Sequence, residues 1–137
     1  MRIITGTIMS RFGYRTHPVT GERKMHNGVD ISAPIGTSVF SPVDGEVMEA
    51  YTCQYGGGLT LTVANENKEV RFSFAHLNSV ALPIGAKVKK GQKVAESGNT
   101  GTSTGPHLHF GAKTNGKWVG KKYIGGFFVN PEPYLNF

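Results

Sequence analysis

The chain has 137 residues, the length of one ordinary domain, and reads as a single domain over residues 1–137. Fifteen Lys and Arg against nine Asp and Glu give a formal charge of +6, which attracts nucleic acid, anionic wall polymers and membrane surfaces alike and selects none of them. A single cysteine, Cys53, excludes an intramolecular disulfide and a thiolate zinc cluster, and the absence of any apolar run of about 18 residues excludes a membrane-spanning helix.

Nineteen glycines, with short apolar runs broken by Gly, Pro, Asn and Ser, point to strands and turns rather than helices. The opening TGTIMSRFGYRTHPVTGERKMHNG reads as a short strand followed by a long exposed loop, in which His17, before Pro18, is a turn residue beside a cleft. The first residues lack the apolar core of a signal peptide, so export by another route, or a place within a longer chain, is expected. VDIS, TSVFSPV and GEVMEAYT alternate apolar and polar residues between Gly and Pro breaks, as strands joined by tight turns do. Cys53, just beyond, reads as a packed small residue and not as a nucleophile. LTLTVAN and EVRFSFAHL form a strand pair around ENK. In SVALPIGAKVKKGQKVAESG, Val88 and Val94 flank the turn Lys89-Lys90-Gly91-Gln92, which predicts a hairpin. HLHFGAKTN is a further strand, and NPEPYLNF is a terminal tail packed by Tyr134, Leu135 and Phe137.

Four of the five histidines fall in three short segments. In MHNGVDIS an extended backbone places His26, Gly28 and Asp30 on one face and Val29 and Ile31 on the other, with Gly28 leaving room for an ion. In GPHLHF the same alternation sends His107 and His109 to one face and Leu108 and Phe110 to the core. An imidazole and a carboxylate suit zinc. If both histidines of the pair bound the ion, the site would be closed and structural; if one did, a position would stay open for water, as hydrolysis requires. His76, in FSFAHLNS, supplies a further imidazole; a strand histidine taken alone is ordinarily a hydrogen-bonded residue at the core edge, and only the joint occurrence of these histidines in a chain with five points to a metal site.

These residues resemble the lysostaphin-type zinc endopeptidases, a family of peptidoglycan-cleaving metallopeptidases. The resemblance is carried by FGYRTHPVTG, HNGVDISAPIGTSVFSPVDGEV, FAHL, VKKGQKVAESGNTGTSTGPHLHF and NPEPYL, and so runs over nearly the whole chain. It implies an all-β fold, an antiparallel β-sandwich with little helix and a zinc groove flanked by loops. It also implies that His26, Asp30 and His109 are the Zn2+ ligands and that His76 and His107 are the catalytic histidines, His107 exchanging protons with water and leaving amine and His76 donating to the oxyanion. Three departures bear on substrate preference: Phe74 where relatives often carry Tyr, Gly111 where an acidic residue is frequent, and Cys53-Gln-Tyr-Gly-Gly-Gly-Leu in place of the usual Tyr-Gly-Asn.

The expected function is hydrolysis of cross-bridge or stem peptides of bacterial peptidoglycan next to Gly or D-Ala. The expected protein is a monomer at the extracellular wall, a phage virion or tail, or within a larger secreted enzyme, with neither nucleic acid nor membrane insertion involved. Two other readings compete. A cell-wall-binding or regulatory module of the same fold would lack hydrolysis, although such modules lose ligands that are all present here. A lipoyl- or biotinyl-carrier domain would use the turn in VKKGQKV but leaves every histidine unexplained.

Overall fold

The computed structural model describes residues 1–16 and 18–137, so the expectation for His17 lies outside the described residues. In chain order the strands are β1 (Thr7–Ser10), β2 (Gly13–Thr16), β3 (Arg23–His26), β4 (Val29–Ser32), β5 (Ser38–Phe40), β6 (Gly45–Cys53), β7 (Gly58–Asn65), β8 (Val70–Val80), β9 (Lys87–Val88), β10 (Lys93–Ser97), β11 (His107–Val119) and β12 (Lys122–Val129). A single 3-10 turn, Glu132–Tyr134, is the only helical element among the described residues. The fold is all-β, and the paired strands run antiparallel.

The main sheet runs β1-β4-β11-β8-β7-β6-β9. Alternation explains which face each strand buries: Leu61 and Val63 on β7, Phe72 and Phe74 on β8, and Leu108 and Phe110 on β11 are fully buried, and Phe110 packs against both Phe72 and Phe74. Strand β8 serves two layers. Val70–Ala75 pair with β11, whereas Leu77, Ser79 and Val80 pair with β10, which in turn pairs with β5. The change of partner falls at His76, whose φ of 62° bends the strand; such bends let one strand turn the corner between packed layers.

The two termini close the core together. Ile3 and Ile4 are buried, the Ile3 amide donates to the Leu135 carbonyl at 2.9 Å, and Leu135 is buried in turn. Tyr134 packs edge-on against Phe72, and Phe137 lies against the core, as expected for the tail.

Several local expectations are corrected. The opening loop folds back as a hairpin, with β2 and β3 forming a separate two-stranded sheet. Val88 and Val94 flank a real turn, in which the Gln92 amide donates to the Lys89 carbonyl, yet β9 pairs with β6 while β10 pairs with β5 and β8. The segment is a crossover and not a hairpin. The strand HLHFGAKTN runs on to Val119 and turns through Gly120 and Lys121 into β12, a hairpin whose faces are held by the Trp118–Tyr123 edge-on pair. Cys53 is exposed and not packed.

Candidate metal centre

The centre is assembled by strand register. His109 on β11 stands opposite Asp30 on β4, and His107 stands opposite Ser32, so the H-x-H segment is laid against the acidic residue by antiparallel pairing. His26 arrives differently. It closes β3 in the small sheet, and the chain crosses at Asn27–Gly28 into β4 of the main sheet. The expectation of one continuous strand from His26 to Asp30 is thus corrected, although their side chains still meet.

Asp30 is the hub. Its Oδ2 lies 3.1 Å from His26 Nε2, and its Oδ1 lies 2.7 Å from His109 Nδ1 and 3.8 Å from His107 Nε2. His26, Asp30 and His109 each offer one ligand atom within 4.8 Å of the others. Two imidazole nitrogens and a carboxylate oxygen at that spacing form a donor set suited to zinc. Burial raises the Asp30 pKa, but the hydrogen bond with His109 and the nearby His109, His26 and His107 outweigh it and hold the carboxyl below the ordinary aspartate value.

Backbone carbonyls fix the imidazoles. His26 Nδ1 donates to the Arg11 carbonyl at 2.9 Å, His107 Nδ1 to the Gly105 carbonyl at 2.8 Å, and His76 Nδ1 to the Thr100 carbonyl at 2.7 Å. In each neutral ring the lone pair is then left on Nε2. The rings of His76 and His107 are 4.6 Å apart, and that of His76 is 6.4 Å from His109, so all four imidazoles share one site. The His76 pKa is lowered, first by burial and then by His107 and His109, against an opposing hydrogen bond to Thr100 and the Asp30 charge.

Gly28 does not leave room for an ion, contrary to expectation. A Cβ there would lie 2.6 Å from the Phe110 carbonyl oxygen and 2.7 Å from His109 Nε2, so the space is occupied by β11 itself. Two of the three noted sequence departures border a groove beside His109: Gly111 lies opposite Ser73, which lines it, as do Cys53 and Gly57. The third does not, since Phe74 is fully buried in the core and a hydroxyl there would face apolar side chains. The groove and its lining, with Tyr51, Arg71 and Phe128, could not be read from any single motif. A larger recess bounded by Pro42, Asp44, Glu66 and Lys90 contains none of the histidines.

The chain is similar to several known proteins. It is 43% identical over 96 residues to the peptidoglycan DD-endopeptidase ShyB of Vibrio cholerae, a match covering 70% of this chain and 22% of that protein. It is 38% identical over 124 residues to the glycyl-glycine endopeptidase ALE-1 of Staphylococcus capitis, covering 90% of this chain and 33% of that one. The chain therefore spans only about a fifth to a third of the length of these relatives. Among solved structures, the catalytic domain of the antimicrobial peptidase lysostaphin from Staphylococcus simulans superposes with a TM-score of 0.78 at 32% identity, covering 95% of this chain and 92% of that one. Residues 24–121 match the model of peptidase family M23, a span that contains every histidine and carboxylate of the centre. The chain belongs to peptidase family M23.

Proposed function

We propose that this chain is a zinc-dependent endopeptidase domain that hydrolyses peptide bonds of bacterial peptidoglycan. The observation that carries the reading is the convergence of His26, Asp30 and His109 within 4.8 Å, with two further buried imidazoles beside them. His26, through Nε2, Asp30 and His109, through Nδ1, would hold the zinc. Bound there, zinc supplies Lewis acidity toward the scissile carbonyl and toward water. His107 and His76 stay off the metal in this reading. Each is oriented through Nδ1 by a carbonyl and presents Nε2 for proton exchange: His107 takes a proton from the attacking water and returns it to the leaving amine, and His76, when protonated, donates to the developing oxyanion.

Substrates carry small residues, Gly or D-Ala, at the scissile bond, because ligands projecting from sheet strands bring the peptide backbone close to the protein. The domain acts as a monomer at the extracellular wall, and its charge of +6 adds salt-sensitive attraction to anionic wall polymers. The names of the relatives and the histidine set support this reading over a binding module without hydrolysis. The test is incubation with purified peptidoglycan, pentaglycine and an unfolded ordinary protein, with and without chelator. Release of wall peptides that stops with chelator and returns with zinc is expected; digestion of the ordinary protein with the wall untouched would overturn the reading.

A further inference from the structure

The groove beside His109 encloses about 220 Å³, and no Asp or Glu lines it. Its neutral polar side chains are Asn27, Tyr51, Thr60 and Ser73, and one permanent cation, Arg71, stands among them. Arg71 is half-buried on the face of β8 that also presents Ser73 and Ala75, and its cross-strand neighbour on β11 is another cation, Lys113.

The other four arginines each have a partner. Arg2 donates to the Gly6 carbonyl, Arg11 pairs with Glu132, Arg15 donates to the Ser10 hydroxyl, and Arg23 stacks over Tyr14. The Arg71 guanidinium has neither hydrogen bond nor ion pair among the described residues. Lys113 offers it no compensation and sits over the Phe128 ring, its Nζ 5.1 Å from the centroid. The nearest carboxylate in the cross-strand row of Arg71, Glu46 beyond Ala64, is engaged by Lys68, Lys87 and Lys121. A guanidinium withdrawn in part from water, with five donors and no ion-pair partner, is stabilised most by an anion that arrives with a ligand, and its planar fork matches a carboxylate.

We infer that Arg71 is the receptor for a free carboxylate on the peptide substrate, so that this domain takes anionic peptides in preference to uncharged ones such as oligoglycine. The inference rests on the peptidase reading above for the nature of the ligand. Position supports it. Ala75 is the cross-strand partner of His109, and Arg71 lies four residues before it on the same face, about 13 Å along the strand. An extended peptide with its scissile bond at the metal centre thus reaches Arg71 within about four residues. The carboxylate belongs either to a side chain or to the chain end, and both present the same two oxygens.

Three matched cross-linked peptides distinguish these sources: one with both carboxylates free, one amidated at the chain end, and one amidated on the side chain. In the zinc-loaded protein the amide that removes the Arg71 partner is expected to lower kcat/KM at least about tenfold, the scale of a hydrogen bond to a charged group. The ratio between free and amidated substrate should fall toward one in Arg71→Met and recover in part in Arg71→Lys. Because it is a ratio within each variant, partial misfolding cancels. A ratio near one in the unsubstituted protein, or one unchanged in Arg71→Met, would overturn the inference while hydrolysis itself left the peptidase reading standing. Calorimetric binding of the same peptides to zinc-free protein supplies the second readout. A preference for the free carboxylate that Arg71→Met abolishes supports the inference even if no peptide is cut, and equal binding of free and amidated peptides contradicts it.

Discussion

Asp30 and His109 face each other across the β4–β11 pairing with Oδ1 and Nδ1 2.7 Å apart, while the opposite nitrogen of the same ring lies against Gly28. His109 is therefore held between a carboxylate and a glycine backbone. Gly28→Ala puts a methyl group 2.7 Å from His109 Nε2 and 2.6 Å from the Phe110 carbonyl oxygen, and β11 cannot yield without breaking its register. The expected outcome is a loss of about 1–3 kcal/mol of stability together with weakened zinc binding, read by urea denaturation and chelator competition. Unchanged zinc affinity would show that the ring position does not depend on this contact.

His76 has a φ of 62° on the bend where β8 leaves β11 for β10, and its amide donates to the Gly57 carbonyl at 2.7 Å. A left-handed residue with a Cβ costs about 1–2 kcal/mol relative to glycine's freedom there. Both His76→Gly and His76→Ala remove the imidazole, but the glycine variant is expected to be more stable than the alanine variant by about 1 kcal/mol, with both inactive. Equal stability in denaturant titration would remove the conformational argument. The lowered His76 pKa carries a sign as well. The folded chain binds this proton less readily than the unfolded chain, so the stability contributed by the neutral ring is lost as pH falls below the ordinary histidine value of 6.5. In zinc-free protein the His76 ring resonance should titrate below 6.5.

Glu46 on β6, in the cross-strand row of Ala64 and Arg71, accepts from Lys68, Lys87 and Lys121, and Lys121 stands at the turn of the β11–β12 hairpin. One carboxylate thus pins the hairpin tip to β6. Lys121 and Lys87 chiefly, with Lys68, lower the Glu46 pKa from 4.5 to about 2. A depressed folded pKa means stability that is full above the unfolded value and is lost as pH falls from 4.5 through about 2. Because the lysines are solvated, the expected cost of Glu46→Gln at neutral pH is about 1 kcal/mol, diminishing toward pH 2. Thermal melts of both proteins at the two pH values check this, and a difference that grew in acid would contradict it.

Cys53 is exposed on the groove that holds Arg71 and Phe128. Alkylation with a bulky maleimide should therefore slow hydrolysis of cross-linked peptide at least about tenfold, as loss of productive orientation does, while zinc content is retained. Full activity of the completely modified protein would place the substrate elsewhere.

Much of this arrangement was legible in the sequence because it rests on alternation. Leu108 and Phe110 went to the core and left His107 and His109 on one face, and Leu61, Val63, Phe72 and Phe74 followed the same period. What was not legible depended on pairing across distance. Nothing local tells β9 and β10 to choose β6 and β8 over each other, nor moves the chain between sheets at Asn27–Gly28. The β11–β12 hairpin does carry a local signal, the alternation of Lys117-Trp118-Val119 and Lys122-Tyr123-Ile124 around Gly120. Cys53 and Arg71 had none, since their place in the groove follows from neighbours on other strands.

The proposed function divides labour between the two histidines of one H-x-H segment, separated by one residue and both on the site face. Zinc content by mass spectrometry, measured alongside peptidoglycan hydrolysis in His107→Ala and His109→Ala, tests it most directly. About one zinc per chain is expected in the unsubstituted protein and in His107→Ala, little in His109→Ala, and hydrolysis only in the unsubstituted protein. Stoichiometric zinc in His109→Ala, or an empty site in His107→Ala, would contradict it.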